Sequence, residues 1–213
     1  MPVDPQTYDD HAYRGDLIAA ESLYEEAAEL ARRRGDRLEL AITLYNLGHL
    51  ARLQHELLRA GELFDEALAT FREVGDALGQ AAVLQGLVEV ASESGDHERA
   101  FTFLRVSTEL LKEIQYVSGL LDSLGTWADL LARLGEAEPA ARLWGAYHVL
   151  GEEVGRRREH PLEVAAREES AGAVREALGD QLFERAWTEG GRLTLDQAVA
   201  LALERGPATA ETA

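Results

Sequence analysis

The chain has 213 residues, 46% of them hydrophobic, which is enough to bury a core and too many for a disordered tail. Its 39 acidic residues outnumber 21 basic ones to give a net charge of −18, so a nucleic-acid duplex would repel it. The absence of cysteine removes disulfides, thiol catalysis and Cys-ligated zinc, and no apolar run approaches the roughly 18 residues of a membrane span, so a soluble, cytoplasmic protein is expected.

Residues 1–15, with Pro2, Pro5 and the Asp9-Asp10 step, read as an irregular segment. From there glycines fall on a lattice of spacing twenty: Gly15, Gly35, Gly75, Gly95, Gly135 and Gly155, with His55 and Gln115 in the two remaining slots. Four of these glycines precede aspartate, at Asp16, Asp36, Asp76 and Asp96. Glycine accepts the left-handed conformation that ends a helix, and aspartate accepts hydrogen bonds from the free N–H groups that begin the next. The spacing therefore predicts helices over 16–34, 37–53, 56–74, 77–94, 96–114, 117–134 and 137–154.

A shift of forty residues aligns side chains as well as breaks, so the unit is a helix pair. Ala20, Ala60, Ala100 and Ala140 coincide, as do Tyr24, Phe64, Leu104 and Trp144. Small residues recur where helices approach closely and large ones where a gap must be filled. The first pair lacks its opening helix: either the chain is a fragment of a longer protein, or helix 16–34 presents an apolar face. On the second view Leu17, Ile18, Leu23 and Tyr24 form a self-association surface, giving a homo-oligomer through the N-terminal helix.

Beyond Arg156-Arg157-Arg158 the lattice fails. Pro161 suits the first turn of a helix running to Leu178, and Gly179-Asp180 repeats the stop-and-start device. Leu182, Phe183, Ala186 and Trp187 make one apolar stripe on a short helix closed by Gly190-Gly191, and Thr194 with Gln197 forms a capping box for a last helix. The organisation expected is a repeat array over 16–155, a helical cap over 160–204 and a frayed tail over 205–213.

Together, Leu44, Leu47-Gly48, Ala60, Phe64 and Ala67, Leu84, Leu87, Ala100 and Leu104, and Leu124, Ala128, Ala140 and Trp144 resemble the tetratricopeptide repeat family in its longer-helix bacterial form. The family's tyrosine late in the first helix is Ala51, Ala91 and Leu131 here, and no proline closes a unit. The resemblance implies an all-α fold, a right-handed α-solenoid of about 3.5 helix pairs plus the C-terminal cap. The segment Arg175 to Asp180 with Phe183, Ala186-Trp187, Gly190 and Leu195 to Ala200 is similar to the C-terminus of large bacterial regulators that join an ATPase core and a DNA-binding domain to such repeats. That implies a role in transcriptional control or signalling, although neither the ATPase nor the DNA-binding part lies within this sequence.

Reactive chemistry finds no support in the residues. The only lysine, Lys112, is followed by Glu113, so there is no phosphate-binding P-loop; His55-Glu56 lacks the second histidine of a zinc helix, because Arg59 stands there. No nucleophile elbow or dinucleotide fingerprint occurs. Carboxylate pairs such as Glu89 with Asp129 read as solvated faces, Trp127, Trp144 and Trp187 as core, and Arg32-Arg33-Arg34 as cations complementing a helix C-terminus. No enzymatic activity, cofactor or metal is expected.

By register with the family, the first helix of each pair lines a concave face. The partner-binding groove is then Tyr45, Asn46, His49 and Arg52 from one unit, Gln85 and Glu89 from the next, and Asp122, Thr126 and Asp129 from the third. The expected function is a non-enzymatic module binding a peptide or helical segment of a protein partner, basic or amphipathic in character, within a bacterial regulatory system. The alternative is a small-molecule effector-sensing domain of a transcriptional regulator.

Overall fold

The structure, a computed structural model, describes residues 17–155 and 161–205, with the side chains of residues 161–166 left aside. The expectations for residues 1–15, for Arg156-Arg157-Arg158 and for the tail after Arg205 lie outside the described residues. Within them the secondary structure is helical: α1 (Leu17–Arg34), α2 (Arg37–Leu53), α3 (Leu57–Val74), α4 (Ala77–Glu93), α5 (His97–Glu113), α6 (Val117–Arg133), α7 (Ala137–Glu153), α8 (Pro161–Leu178), α9 (Asp180–Gly190) and α10 (Leu195–Leu203). Helices α2, α4 and α6 begin forty residues apart, and so do α3, α5 and α7. No described helix is long and apolar enough to cross a membrane.

The helix breaks follow from local backbone chemistry. Gly35, Gly75, Gly95, Gly135 and Gly155 all have φ between 64° and 78°, which glycine adopts without a Cβ clash. At the two lattice slots without glycine the backbone does the same: His55 has φ 62° and Gln115 φ 56°. The lattice thus specifies a conformation, and two ordinary residues are held in it by the turns on either side. Asp36 then accepts a hydrogen bond from the Glu39 amide at 3.1 Å, Asp76 from Gly79 at 3.0 Å and Asp96 from Arg99 at 3.1 Å, each starting the next helix.

The chain divides into two compact units, Met1–Ser107 and Thr108–Ala213. In the first unit α1 packs on α2, α2 on α3, α3 on α4, and α2 lies beside α4. The Phe64 ring, fully buried, is held between two glycines: a Cβ at Gly48 would stand 2.7 Å from it and one at Gly86 2.6 Å. A larger residue at either glycine would push an aromatic whose burial is worth about 2–3 kcal/mol out of its seat. Arg59 of α3 is gripped by Glu21 and Glu25 of α1 and by Glu56, while Arg32 of α1 pairs with Glu66 at 3.0 Å.

Of the apolar face expected on α1, the structure withdraws Tyr24. Tyr24 is 4% exposed in the core, and Leu17 and Leu23 pack against that core; only Ile18 of the four, at 78%, faces solvent. Tyr24 is thus taken up by the chain's own core, while Leu17 and Leu23 are half-buried and Ile18 stays exposed.

In the second unit α6 packs on α7, α8 on α6 and α7, α9 on α7 and α8, and α10 on α6 and α7. Trp127 and Trp144 are fully buried, with indole N–H groups donating at 3.0 Å to Thr108 Oγ1 and Asp129 Oδ1 respectively. Helices α7 and α9 cross at glycines: a Cβ on Gly145 would overlap the Trp187 carbonyl, and one on Gly190 the Arg142 carbonyl. Thr194 and Gln197 make the capping box of α10. On α9, Phe183 and Ala186 are buried and Trp187 half-buried, but Leu182 turns to solvent, so the four-residue apolar stripe is narrower than its sequence suggests.

Candidate functional site

The candidate surface is built from helix periodicity. On α2 the residues Leu38, Ile42, Tyr45, His49 and Arg52 recur at intervals of three and four, on one stripe; Leu78, Ala82, Gln85 and Glu89 repeat it on α4. The opposite stripe of α2, with Leu40, Leu44, Leu47 and Ala51, is core. Packing of that buried stripe leaves the first half-buried or exposed.

Tyr45, His49 and Phe64 form an aromatic cluster. The Tyr45 and His49 rings meet edge-on with centroids 4.5 Å apart, and His49 stands 5.1 Å from Phe64 in the same manner. Burial and the Arg52 cation lower the His49 pKa to about 4, so its imidazole is neutral near pH 7. Burial raises the Tyr45 pKa, with the Glu89 carboxylate adding to the effect. His49 Nε2 is buried without a hydrogen-bond partner.

At the far end of the stripe Arg52 joins α2 to α4. Its Nε is 3.0 Å from Glu89 Oε2 and its Nη1 2.5 Å from Glu93 Oε1, and His49 Nδ1 lies 4.0 Å from the same Glu89 oxygen. The Nε–Glu89 contact is ionic without hydrogen-bond alignment, since that nitrogen is buried with no hydrogen bond. Because the three side chains remain 23% to 37% exposed and water screens them, the pairing contributes at most about 0.5–1 kcal/mol. Its effect is to hold two successive first helices at a set spacing.

The sequence therefore brings Tyr45, His49, Arg52 and Glu89 together, with Asn46 and Gln85 half-buried on the same two helices. The remaining three residues belong to the second unit. There Asp122 is exposed and the Thr126 hydroxyl donates to its backbone carbonyl at 3.2 Å. Asp129 is half-buried and has a structural duty as well: its carboxylate accepts a hydrogen bond from the buried Trp144 indole. Gly125, the position equivalent to Tyr45 and Gln85, is buried against Tyr147 and within reach of Arg167, whose guanidinium lies 4.4 Å over that ring.

Sequence reasoning missed Glu93, and missed Leu38 and Leu78 as the exposed apolar end of the stripe. The signal for Glu93 was present: it stands one repeat and one residue after Arg52, and neighbouring repeats place such residues side by side.

Comparison with known proteins agrees with this architecture. Residues 39–113 match the family model described as tetratricopeptide repeat. Proteins of Mycobacterium bovis and Mycobacterium tuberculosis named as HTH-type transcriptional regulators are 32% identical over 117 residues, 55% of this chain. The chain spans only 13% of the length of those relatives. Among solved structures, BtubC from P. vanneervenii aligns over 97% of this chain and 82% of its own, with a TM-score of 0.68 at 20% identity. A Podospora anserina structure named for a kinesin light chain with nearly identical TPR-like repeats aligns over 93% of both chains, with a TM-score of 0.61 at 16% identity. At those identities the likeness concerns the fold, which is all-α and of the tetratricopeptide-repeat type. Repeats of this family generally mediate protein–protein interaction and are typically non-enzymatic.

Proposed function

We infer, from a chain carrying tetratricopeptide repeats over residues 39–113, that it is a non-enzymatic interaction module whose α2/α4 face binds a peptide or helical segment of a partner protein. The observation that carries the reading is a preformed surface: Tyr45 and His49 are packed on Phe64, and Arg52 ties α2 to α4 through Glu89 and Glu93. A surface already ordered by its own core loses little conformational entropy on binding, which leaves more of the contact energy for affinity. The setting we propose is a bacterial regulatory system, with the mycobacterial regulators that are 32% identical over 117 residues as its support.

Photo-crosslinking in bacterial cells tests the reading. A photoreactive amino acid at Ile42 or Gln85 is expected to yield protein adducts, and the same group at Glu62 or Asp65, on the outward side of α3, to yield few. Adducts from α3 alone, or none from α2 and α4, would overturn it.

A further inference from the structure

The α2/α4 face is polarised along its length. At one end Leu38, Ile42 and Leu78 are 46%, 40% and 48% exposed, apolar side chains left in water; at the other stand Arg52, Glu89 and Glu93. Eleven residues separate Leu78 from Glu89 on α4, about 16 Å at a helical rise of about 1.5 Å per residue.

The chemistry of the ionic end recurs elsewhere in the molecule. Glu21 and Glu25, one turn apart on α1, hold Arg59; Asp180 and Glu184, one turn apart on α9, hold Arg175; Glu89 and Glu93, one turn apart on α4, hold Arg52. In each case a guanidinium from another helix spans two carboxylates, because its forked donors match that spacing. The surrounding field has the same sign: helices α1 to α4 with their connecting turns carry fourteen carboxylates against seven arginines.

Resting on the interaction reading above, we infer that the occupant of this face is a basic amphipathic helix of a partner protein. Its apolar turn sits on Leu38, Ile42 and Leu78, and an arginine about eleven residues away enters the Glu89–Glu93 pair beside or in place of Arg52. The groove between the side-by-side α2 and α4 accepts a third helix by ridge-into-groove packing, and the apolar and ionic ends together fix its position.

Fluorescence anisotropy with defined probes tests this on the full chain. The first probe is a labelled, helix-forming peptide with two leucines one turn apart and two arginines about eleven residues beyond. The second carries glutamates for the arginines, and the third brings the arginines to within five residues of the leucines. The first should bind at least tenfold more tightly than either of the others, losing that advantage as salt rises. Ile42→Glu with Leu78→Glu should weaken it at least tenfold. Glu93→Arg should weaken the arginine probe and strengthen the glutamate probe. All three substituted side chains are exposed or nearly so, and circular dichroism confirms that each variant folds. Equal binding of the probes, no binding, or binding indifferent to the Ile42 and Leu78 changes would overturn the inference. Crosslinks from Ile42 and Gln85 persisting alongside such a result would leave protein binding standing and remove only the basic helix.

Discussion

His49 shows how much a single side chain contributes by remaining neutral. Its pKa, ordinarily near 6.5, falls to about 4 because burial and Arg52 both oppose the imidazolium. The unfolded chain therefore binds a proton in a range where the folded one does not. This contribution to stability is complete above pH 6.5 and is lost as pH falls toward 4, on the order of 2–3 kcal/mol. Glu21, whose pKa is lowered chiefly by its hydrogen bond with Gln54, adds acid sensitivity only below the ordinary carboxylate range near 4.5. Denaturant unfolding of wild type and His49→Gln at pH 7, 6, 5 and 4 separates the two: the wild type should lose stability more steeply between pH 6.5 and 4. Parallel slopes would show that the imidazole is not held neutral. Asp129 teaches the complementary lesson. Its place in the repeat points to the groove, and spacing alone did not reveal that Trp144, fifteen positions on, supplies an indole N–H that Asp129 accepts.

Between helices, the decisive features are gaps where a side chain is absent. The breaks were legible because each is a local event: a left-handed glycine followed by an aspartate cap is written in two adjacent letters. The positions of His55 and Gln115 were legible only through the period, since neither residue favours that conformation by itself. The crossing of α7 and α9 was not legible at all. Gly145 and Gly190 lie 45 residues apart, outside the lattice, and nothing in either helix's own periodicity says that their backbones touch. For the same reason Leu182, placed on the apolar stripe by spacing, turned out to face solvent: α9 is pressed so closely on α7 that its contact stripe is narrow. Gly190→Ala should therefore separate the helices and cost more than about 2 kcal/mol, well beyond a propensity effect. Gly172→Ala, on α8 with open space around it, should raise stability by up to about 1 kcal/mol through helix propensity. Urea titrations of both variants would read the difference, and a neutral Gly190→Ala would contradict the packing.

For the molecule as a whole, the fold class followed from the period of forty, while the candidate surface followed only in part. The sequence placed Tyr45, His49, Arg52 and Glu89 on the same face because helical register and repeat register both fix direction. On α1 it grouped Tyr24 with Leu17, Ile18 and Leu23, although Tyr24 alone of the four is buried. Whether a stripe is covered depends on its neighbour's packing, here Tyr24 and Leu23 against the shared core. The α2/α4 face is the proposed place where this protein meets another. Hydrogen–deuterium exchange with and without a partner captured by crosslinking tests it most directly. Docking on this face should slow exchange within 37–53 and 77–93 and leave 57–74 little changed; protection confined to 57–74, or none in these helices, would place the partner elsewhere.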